Sequence, residues 1–431
     1  MMDTASDKSN AVTAFHVGDE FVLRIDNVAF GGDGVGRIDD CVVFVRGALD
    51  TELVKVKVYE VKRSYIKADT LSVIEASPER VQPLCPVYGL CGGCQYQHVS
   101  YNKQLSLKES QVRDIIERIG HIKEFDMKPI LPSPKPYHYR SRVEIHIRKI
   151  EGQLKAGYKS FHNRQLVDIS ACPIASAPIN DAFKQFRSSP SEETITQNNV
   201  PSIYSLPVWV RYTRFWDSLQ GVGMYHHGHD GRVTYEGSSI IQQSVEGKRF
   251  SMMHDSFFQV NLDMIGKMAE TLTWMLDLKK NDFLLDCYSG VGLFSVFLAG
   301  LVRRCVGIES DKKASEQARV NAIENGLSNC EFIGKSVEKV LLHALDNLGE
   351  RPNKVILDPA RPGCTDKVLH ALGHLRPERI AYVSCNPPTL ARDLVYFCEN
   401  GYVIDGIQPL DLFPQTKHCE VIVNLKNILP V

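Results

Sequence analysis

The chain has 431 residues, 43% of them hydrophobic and 23% charged, a composition of folded soluble proteins at a length that suggests two or three domains. Its formal net charge of -1 excludes a general electrostatic attraction to nucleic acid, so any such contact has to come from local patches. No run of about 18 apolar residues occurs and the N-terminal MMDTASDKSN is polar, which argues against a membrane contact or a secretory segment and leads us to expect a cytoplasmic protein.

Residues 16–75 read as a small all-β unit. Phe21–Ile25 alternates, glycines at 31, 32, 34 and 36 break the chain, and Cys41–Val45 and Val54–Val58 follow as further strands. Short strands between glycine-rich turns suggest a barrel of the oligonucleotide-binding kind. Lys55, Lys57, Lys62, Arg63 and Lys67 make it locally basic, although a solvated strand face explains such charges equally well. A central domain at 76–270 opens with clustered cysteines. Its Ser106–Ile119 segment repeats apolar residues at helical spacing, and Tyr139–Ile169 and Ser205–Ser244 alternate like strands. The polar stretch Ser188–Asn199 reads as a loop between them.

The third domain, 271–431, alternates strands with helices. Phe283–Asp286, Arg304–Glu309, Val355–Asp358 and Ile380–Ser384 are apolar runs ending in polar residues, as expected of a parallel sheet buried on both faces. Ligands on such sheets bind beyond the carboxyl ends of the strands, where Asp286, Glu309, Asp358 and Cys385 all fall. The turn Asp286-Cys287-Tyr288-Ser289-Gly290-Val291-Gly292 lets backbone approach a ligand next to an electropositive helix start. It lacks the third glycine of a dinucleotide fingerprint, and methyl donation suits it better than hydride transfer. Glu309 is placed to hold ribose hydroxyls.

Twelve cysteines are many for a reducing compartment. Cys41, Cys287, Cys305, Cys330 and Cys398 sit among apolar residues and read as small buried hydrophobes. Cys385 differs, because Asn386-Pro387-Pro388 follows it as a stiff, exposed turn. A thiolate there can add to an electron-poor ring if positive charge lowers its pKa, and Lys417 and Arg392 are candidates for that charge. In uracil, C5 is a poor nucleophile until a thiolate adds at C6. A base must then remove the C5 proton, and Glu420 is the expected base ahead of His418. Asn386-Pro387-Pro388 also matches part of the motif of exocyclic-amine methylases. Thr389 stands where those enzymes carry an aromatic residue, so that reading ranks second.

These residues, in this order and spacing, resemble the TRAM-domain RNA uracil-5-methyltransferases over nearly the whole chain. The resemblance implies a Rossmann-like class I methyltransferase domain, an N-terminal TRAM barrel and S-adenosylmethionine as cofactor. It places Gln259, in Phe257–Asn261, and Asp358, in Leu357–Arg361, at the cofactor with Gly290 and Glu309. Tyr288 stands where relatives pack an aromatic ring near the cofactor, and Ser336 where they carry a contacting asparagine. Cys385 and Glu420 match the nucleophile and base.

Cys85, Cys91, Cys94 and Cys172 supply four thiolates, which zinc or an iron–sulfur cluster would accept, and the glycines 92 and 93 leave room for N–H donors to sulfur. The resemblance implies a [4Fe–4S] cluster, which makes the central α+β domain an iron–sulfur domain. Relatives that act on transfer RNA generally lack both barrel and cluster, so the resemblance favours a single-stranded or loop uridine of 23S ribosomal RNA, modified by a monomer. A transfer RNA enzyme, or a non-enzymatic RNA-binding or chaperone protein on the same fold, are the alternatives. Intact Cys385, Glu309 and Glu420 argue against the last.

Overall fold

The computed structural model describes residues 15–162, 164–188, 203, 206, 210–236 and 238–429. Most of the expected loop at 188–199, and the start of the strand region expected from Ser205, lie outside them. The chain forms two compact units, one of residues up to Gln111 with 415–417, the other of residues 112–414 with 418–431.

In the first unit, β1 (Glu20–Val28), β2 (Gly34–Ile38), β3 (Cys41–Arg46), β4 (Leu53–Val61) and β5 (Tyr65–Glu75) close a barrel in the order β1-β2-β3-β5-β4. The alternation that announces these strands is the burial pattern itself. Val43 and Val45 point inward between outward Val42 and Phe44, and Val54, Val56 and Val58 point inward between Lys55 and Lys57. Those two lysines lie 2.9 and 3.5 Å from the Glu20 carboxylate, so part of the barrel's basic character is neutralised on its own surface. Helix α1 (Tyr101–Arg118) begins a turn before the apolar repeat, because the Ser100 hydroxyl accepts the Lys103 N–H at 3.3 Å.

The second unit holds two layered parts. Strands β6 (Arg142–Ile150), β7 (Gln153–Lys159), β8 (Leu166–Asp168), β9 (Val210–Ser218), β10 (Gly221–Gly228) and β11 (Val233–Glu236) form one sheet, ordered β11-β10-β9-β6-β7-β8. Helix α2 (Ala177–Arg187) packs Phe183 and Phe186 onto Phe215 of β9. A hairpin, β12 (Ile240–Val245) with β13 (Lys248–Met253), leads to α3 (Ile265–Leu276).

A seven-stranded sheet follows, built from β14 (Phe283–Cys287), α4 (Leu293–Leu298), β15 (Arg304–Ile308), α5 (Lys312–Glu324), β16 (Cys330–Ile333), α6 (Val337–Leu342), α7 (Ala344–Leu348), β17 (Lys354–Leu357), α8 (Asp366–Leu375), β18 (Arg379–Ser384), α9 (Pro387–Glu399), β19 (Tyr402–Leu410) and β20 (Glu420–Asn427). Its order is β16-β15-β14-β17-β18-β20-β19, with β14 to β18 parallel and the last two strands antiparallel. Every residue of β14 and β17 is buried, which is why these strands read as unbroken apolar runs. The chain winds outward from β14 to β16 and then returns to β17 on the other side, opening a crevice at the carboxyl end of β14. No helix among the described residues is long and apolar enough to cross a membrane.

Candidate active site

The turn after β14 is shaped from within. Buried Asp286 accepts the Ser295 N–H at 3.0 Å and its hydroxyl at 2.6 Å through Oδ2, which ties strand end to helix α4. Its Oδ1 and the Ser289 hydroxyl are buried without a partner, and such atoms are costly unless a ligand meets them. Gly292 has φ +82°, and a Cβ there would come within 3.1 Å of Ala318 and Phe332, so only glycine fits. Gly290 faces open space, and its N–H donates to Glu309 Oε2 at 3.0 Å. Glu309 Oε1 accepts from the Ser310 hydroxyl and the Asp311 N–H at 3.0 and 2.7 Å, which fixes the carboxylate at the end of β15. The expected cofactor residues Gly290, Glu309 and Asp358 therefore follow adjacent strand ends.

Gln259 is buried on the segment between β13 and α3. Asn261 anchors that segment, its Nδ2 donating to Ser133 Oγ at 3.0 Å and to the Leu412 carbonyl at 3.1 Å. Tyr288 adopts φ +67°, a left-handed backbone that β-carbon residues seldom take, and its half-buried phenol lies by the Cys364 thiol. Ser336 caps α6 through its carbonyl, which accepts from the Lys339 and Val340 N–H groups at 3.1 and 3.2 Å, and leaves its hydroxyl out of the cap.

Strands β18 and β20 are antiparallel with Ser384 opposite Val421, and Cys385, the residue after β18, lies near enough to Glu420, the first residue of β20, for that carboxylate to act on its thiol. Cys385 is half-buried, while Glu420 is buried rather than the surface carboxylate it could have been. The expected exposed turn after Cys385 is instead the start of a helix. Pro387 and Pro388 occupy the first turn of α9, where a missing N–H costs nothing, and the positive helix end faces the thiol's residue.

The charge that favours the thiolate also differs from expectation. Arg392 is bound to buried Asp393, with contacts of 2.8 and 2.7 Å to Oδ1. The guanidinium beside Cys385 is that of Arg361, whose carbonyl accepts from Asn386 Nδ2 at 2.9 Å and Thr389 Oγ1 at 3.0 Å. Arg361 was legible only as part of the Leu357–Arg361 string. Its Nη2 also approaches His418 Nε2 at 3.3 Å, which draws that imidazole toward a cation and away from a base's role.

Burial dominates the acid–base state. It raises Asp286 to about 6, against hydrogen bonds from Ser295, and Asp358 to about 7, helped by the negative charge of Asp286. Glu420 is pushed well above the usual carboxylate range by burial and then by Asp358. Burial and Glu420 push the Cys385 thiol up to about 11, with Arg361 pulling the other way. Crowded carboxyl groups that resist ionisation would ionise more readily beside a cationic ligand, whereas a pyrophosphate would hold them protonated.

Cys85, Cys91 and Cys94 lie half-buried in turns of the first unit, where the Gly93 N–H donates to Cys91 Sγ at 3.4 Å. Cys172, in the second unit, exchanges hydrogen bonds with Asn180, donating its N–H to Oδ1 at 2.8 Å and accepting from Nδ2 at 3.0 Å. Among the described residues no group of three or more His, Cys, Asp or Glu side chains is gathered closely enough to hold a metal ion.

The sheet order, the glycine turn and the carboxylates at the strand ends define an S-adenosylmethionine-dependent methyltransferase. Residues 232–428 match the tRNA (uracil-5-)-methyltransferase family and residues 14–71 the TRAM domain. An RNA methyltransferase of Thermosynechococcus vestitus is 34% identical over 94% of this chain and 97% of its own, and one from Synechocystis is 32% identical over 94% and 95%. The crystal structure of the Pyrococcus abyssi tRNA (uracil-54, C5)-methyltransferase with S-adenosyl-L-homocysteine is similar at TM-score 0.70 and 25% identity, covering 94% of this chain and all of the other. The chain belongs to the TRAM-domain RNA uracil-5-methyltransferase family.

Proposed function

We propose that the chain methylates C5 of a uridine in 23S ribosomal RNA, with Cys385 as nucleophile and Glu420 as base. The observation that carries the reading is the nearness of these two residues at the adjoining ends of β18 and β20, with Arg361 beside the thiol. With its proton given up to solvent and Arg361 beside it, the Cys385 thiolate adds through Sγ to C6 of uracil, and the electrons of the C5–C6 double bond move to C5 and O4. S-adenosylmethionine, when bound, would supply the methyl group for C5 from its cationic sulfur, leaving as neutral S-adenosylhomocysteine. Glu420 then removes the C5 proton, and the C6–S bond breaks to return the thiolate. Asp286 and Asp358 would sit near the sulfonium, with Glu309 on the ribose and Gly290 and Gln259 along the donor; Tyr288 and Ser336 would line its edge. Positive charge there favours the ionised carboxylates that burial alone suppresses.

The target uridine would be in a single strand or loop and turned out of its stack. The four-cysteine pattern supports a ribosomal substrate. Transfer RNA is the second reading, favoured by the name of the similar Pyrococcus abyssi enzyme. For Cys85, Cys91, Cys94 and Cys172 we propose, from the family resemblance, a [4Fe–4S] cluster that serves folding or RNA placement, with the Gly93 N–H directed at Cys91 Sγ as the supporting contact. Protein purified without oxygen should contain iron and sulfide in equal amounts, and Cys172→Ala should lose both. Methylation maps of ribosomal and transfer RNA, with and without the gene, decide the substrate. RNA carrying 5-fluorouracil should form a covalent adduct with the protein, and an adduct formed equally by Cys385→Ala would overturn the mechanism.

A further inference from the structure

The sheet of β6 to β11 packs one face under α2, and on the other it buries Trp216 and Tyr225 in the main core, so that only the part of that second face around His146, Tyr212 and Arg148 is left partly exposed. Val143, Ile145 and Phe215 lie on the face that α2 covers. On the opposite face the register sets His146, Tyr212 and His227 in one row across three strands. Tyr212 stacks on His227 with ring centroids 4.5 Å apart and planes 13° from parallel, and His146 meets it edge-on at 5.9 Å. His227 is buried, and its Nε2 has no partner.

Cations surround this row. Arg148 faces Lys155 across β6 and β7, and Lys159 follows two positions beyond Gly157 along β7. Arg214 lies 5.6 Å over the Tyr212 ring and 3.3 Å from Glu144. Glu144 of β6 and Asp168 of β8, opposite Gly157, are carboxylates on this face, Arg187 pairs with Asp168 at 2.6 Å, and Asp255 acts on His227 at the row's other end. Subtracting the Arg214–Glu144 and Arg187–Asp168 pairs leaves Arg148, Lys155 and Lys159 as positive charge along β6 and β7 on a chain whose net charge is -1. A row of rings with cations beside it matches the chemistry of single-stranded nucleic acid, which offers a flat base and a phosphate at each step. An acidic peptide would match the cations but leave the rings without a role.

The face also leads toward the active site. Tyr225 stacks on His254 at 4.8 Å, and Arg142 Nη1 donates to the Ser256 carbonyl at 3.0 Å. The segment they touch carries Gln259.

We propose that this sheet face binds RNA flanking the target uridine, with Tyr212 under a base and Arg148, Lys155 and Lys159 on phosphates. The proposal rests on the RNA-methylating function proposed above. Its test uses the full-length protein and an unstructured 20-nucleotide RNA containing one 5-fluorouracil, with binding followed by fluorescence anisotropy across a salt series.

The double variant Arg148→Glu/Lys155→Glu should weaken binding at least tenfold and flatten the log–log salt slope by about 1.4, roughly 0.7 for each phosphate no longer neutralised. Tyr212→Ala should weaken binding about tenfold and leave the slope unchanged. S-adenosylhomocysteine affinity, equal in all three proteins, reports that the fold is kept. RNA affinity within twofold of wild type in the charge-reversal variant would overturn the sheet-face proposal and leave the methylation reading standing. Wild-type protein that neither binds this RNA nor forms the adduct would overturn both.

Discussion

Asp358 offers the sharpest test of the acidic pocket. Its half-buried carboxyl group follows β17, where desolvation and then Asp286 raise it from 3.8 to about 7. The folded protein therefore keeps this proton to a higher pH than the unfolded chain does. Stability from the protonated form is fully present below pH 4, and it is lost as pH rises through 7. One unit of pKa corresponds to about 1.36 kcal/mol, so the shift amounts to about 4 kcal/mol of lost stability at pH 8 and about 1.5 kcal/mol at pH 5. Asn has nearly the same shape and no charge at any pH. In urea unfolding of the ligand-free proteins, Asp358→Asn should gain 2–3 kcal/mol over wild type on going from pH 5 to pH 8, a range of roughly that size following from the same arithmetic. The variant should also bind S-adenosylmethionine more weakly and lose methylation. A stability difference that does not change with pH would show that Asp358 is ionised at no cost in the fold, and the pocket would then have no preference for a cation.

Glu420→Gln keeps the thiol addition and removes the base, so the methylated RNA should accumulate as a covalent adduct visible by mass spectrometry of denatured protein. Normal turnover without adduct would remove Glu420 from the base's role. Arg361→Ala takes away the cation that opposes the rise of the Cys385 thiol above its ordinary value. With less thiolate at any given pH, kcat should fall at least tenfold near pH 7.5 and recover as pH rises, moving the ascending limb of the pH profile to higher pH by about one unit. Arg361→Lys should shift it less, and an unmoved limb in the alanine variant would refute the assignment.

Much of the site was legible because it follows a local rule. Asp286, Glu309, Asp358 and Cys385 end apolar runs, and in a parallel sheet the ends of such runs share one edge. The helix after Cys385 was missed for a related reason. Two consecutive prolines read as a turn, yet the first turn of a helix tolerates both. Arg361 could not be identified from its neighbours, since its role depends on a loop folding back to the strand that bears Cys385, and Arg392 and Lys417 look equally basic in the sequence. The ring row of His146, Tyr212 and His227 was hidden more thoroughly. Its members sit on three strands far apart in the chain, and only the register of β6, β9 and β10 brings them into line. The barrel was the easiest part to read, because inward and outward residues alternate there one by one.

The pairing of β18 with β20 makes the placement of the proposed nucleophile and base a matter of backbone register, although 34 residues separate Cys385 from Glu420 in the chain. Side-chain substitutions can change how acidic either group is, but they leave the span between them untouched. A one-residue deletion within β20 would turn its side chains to the opposite side of the sheet and separate the group that starts the reaction from the group that ends it. Lineages diverging from this chain are thus free to lengthen the connections outside these two strands, while insertions and deletions inside the pair should be nearly absent among active descendants.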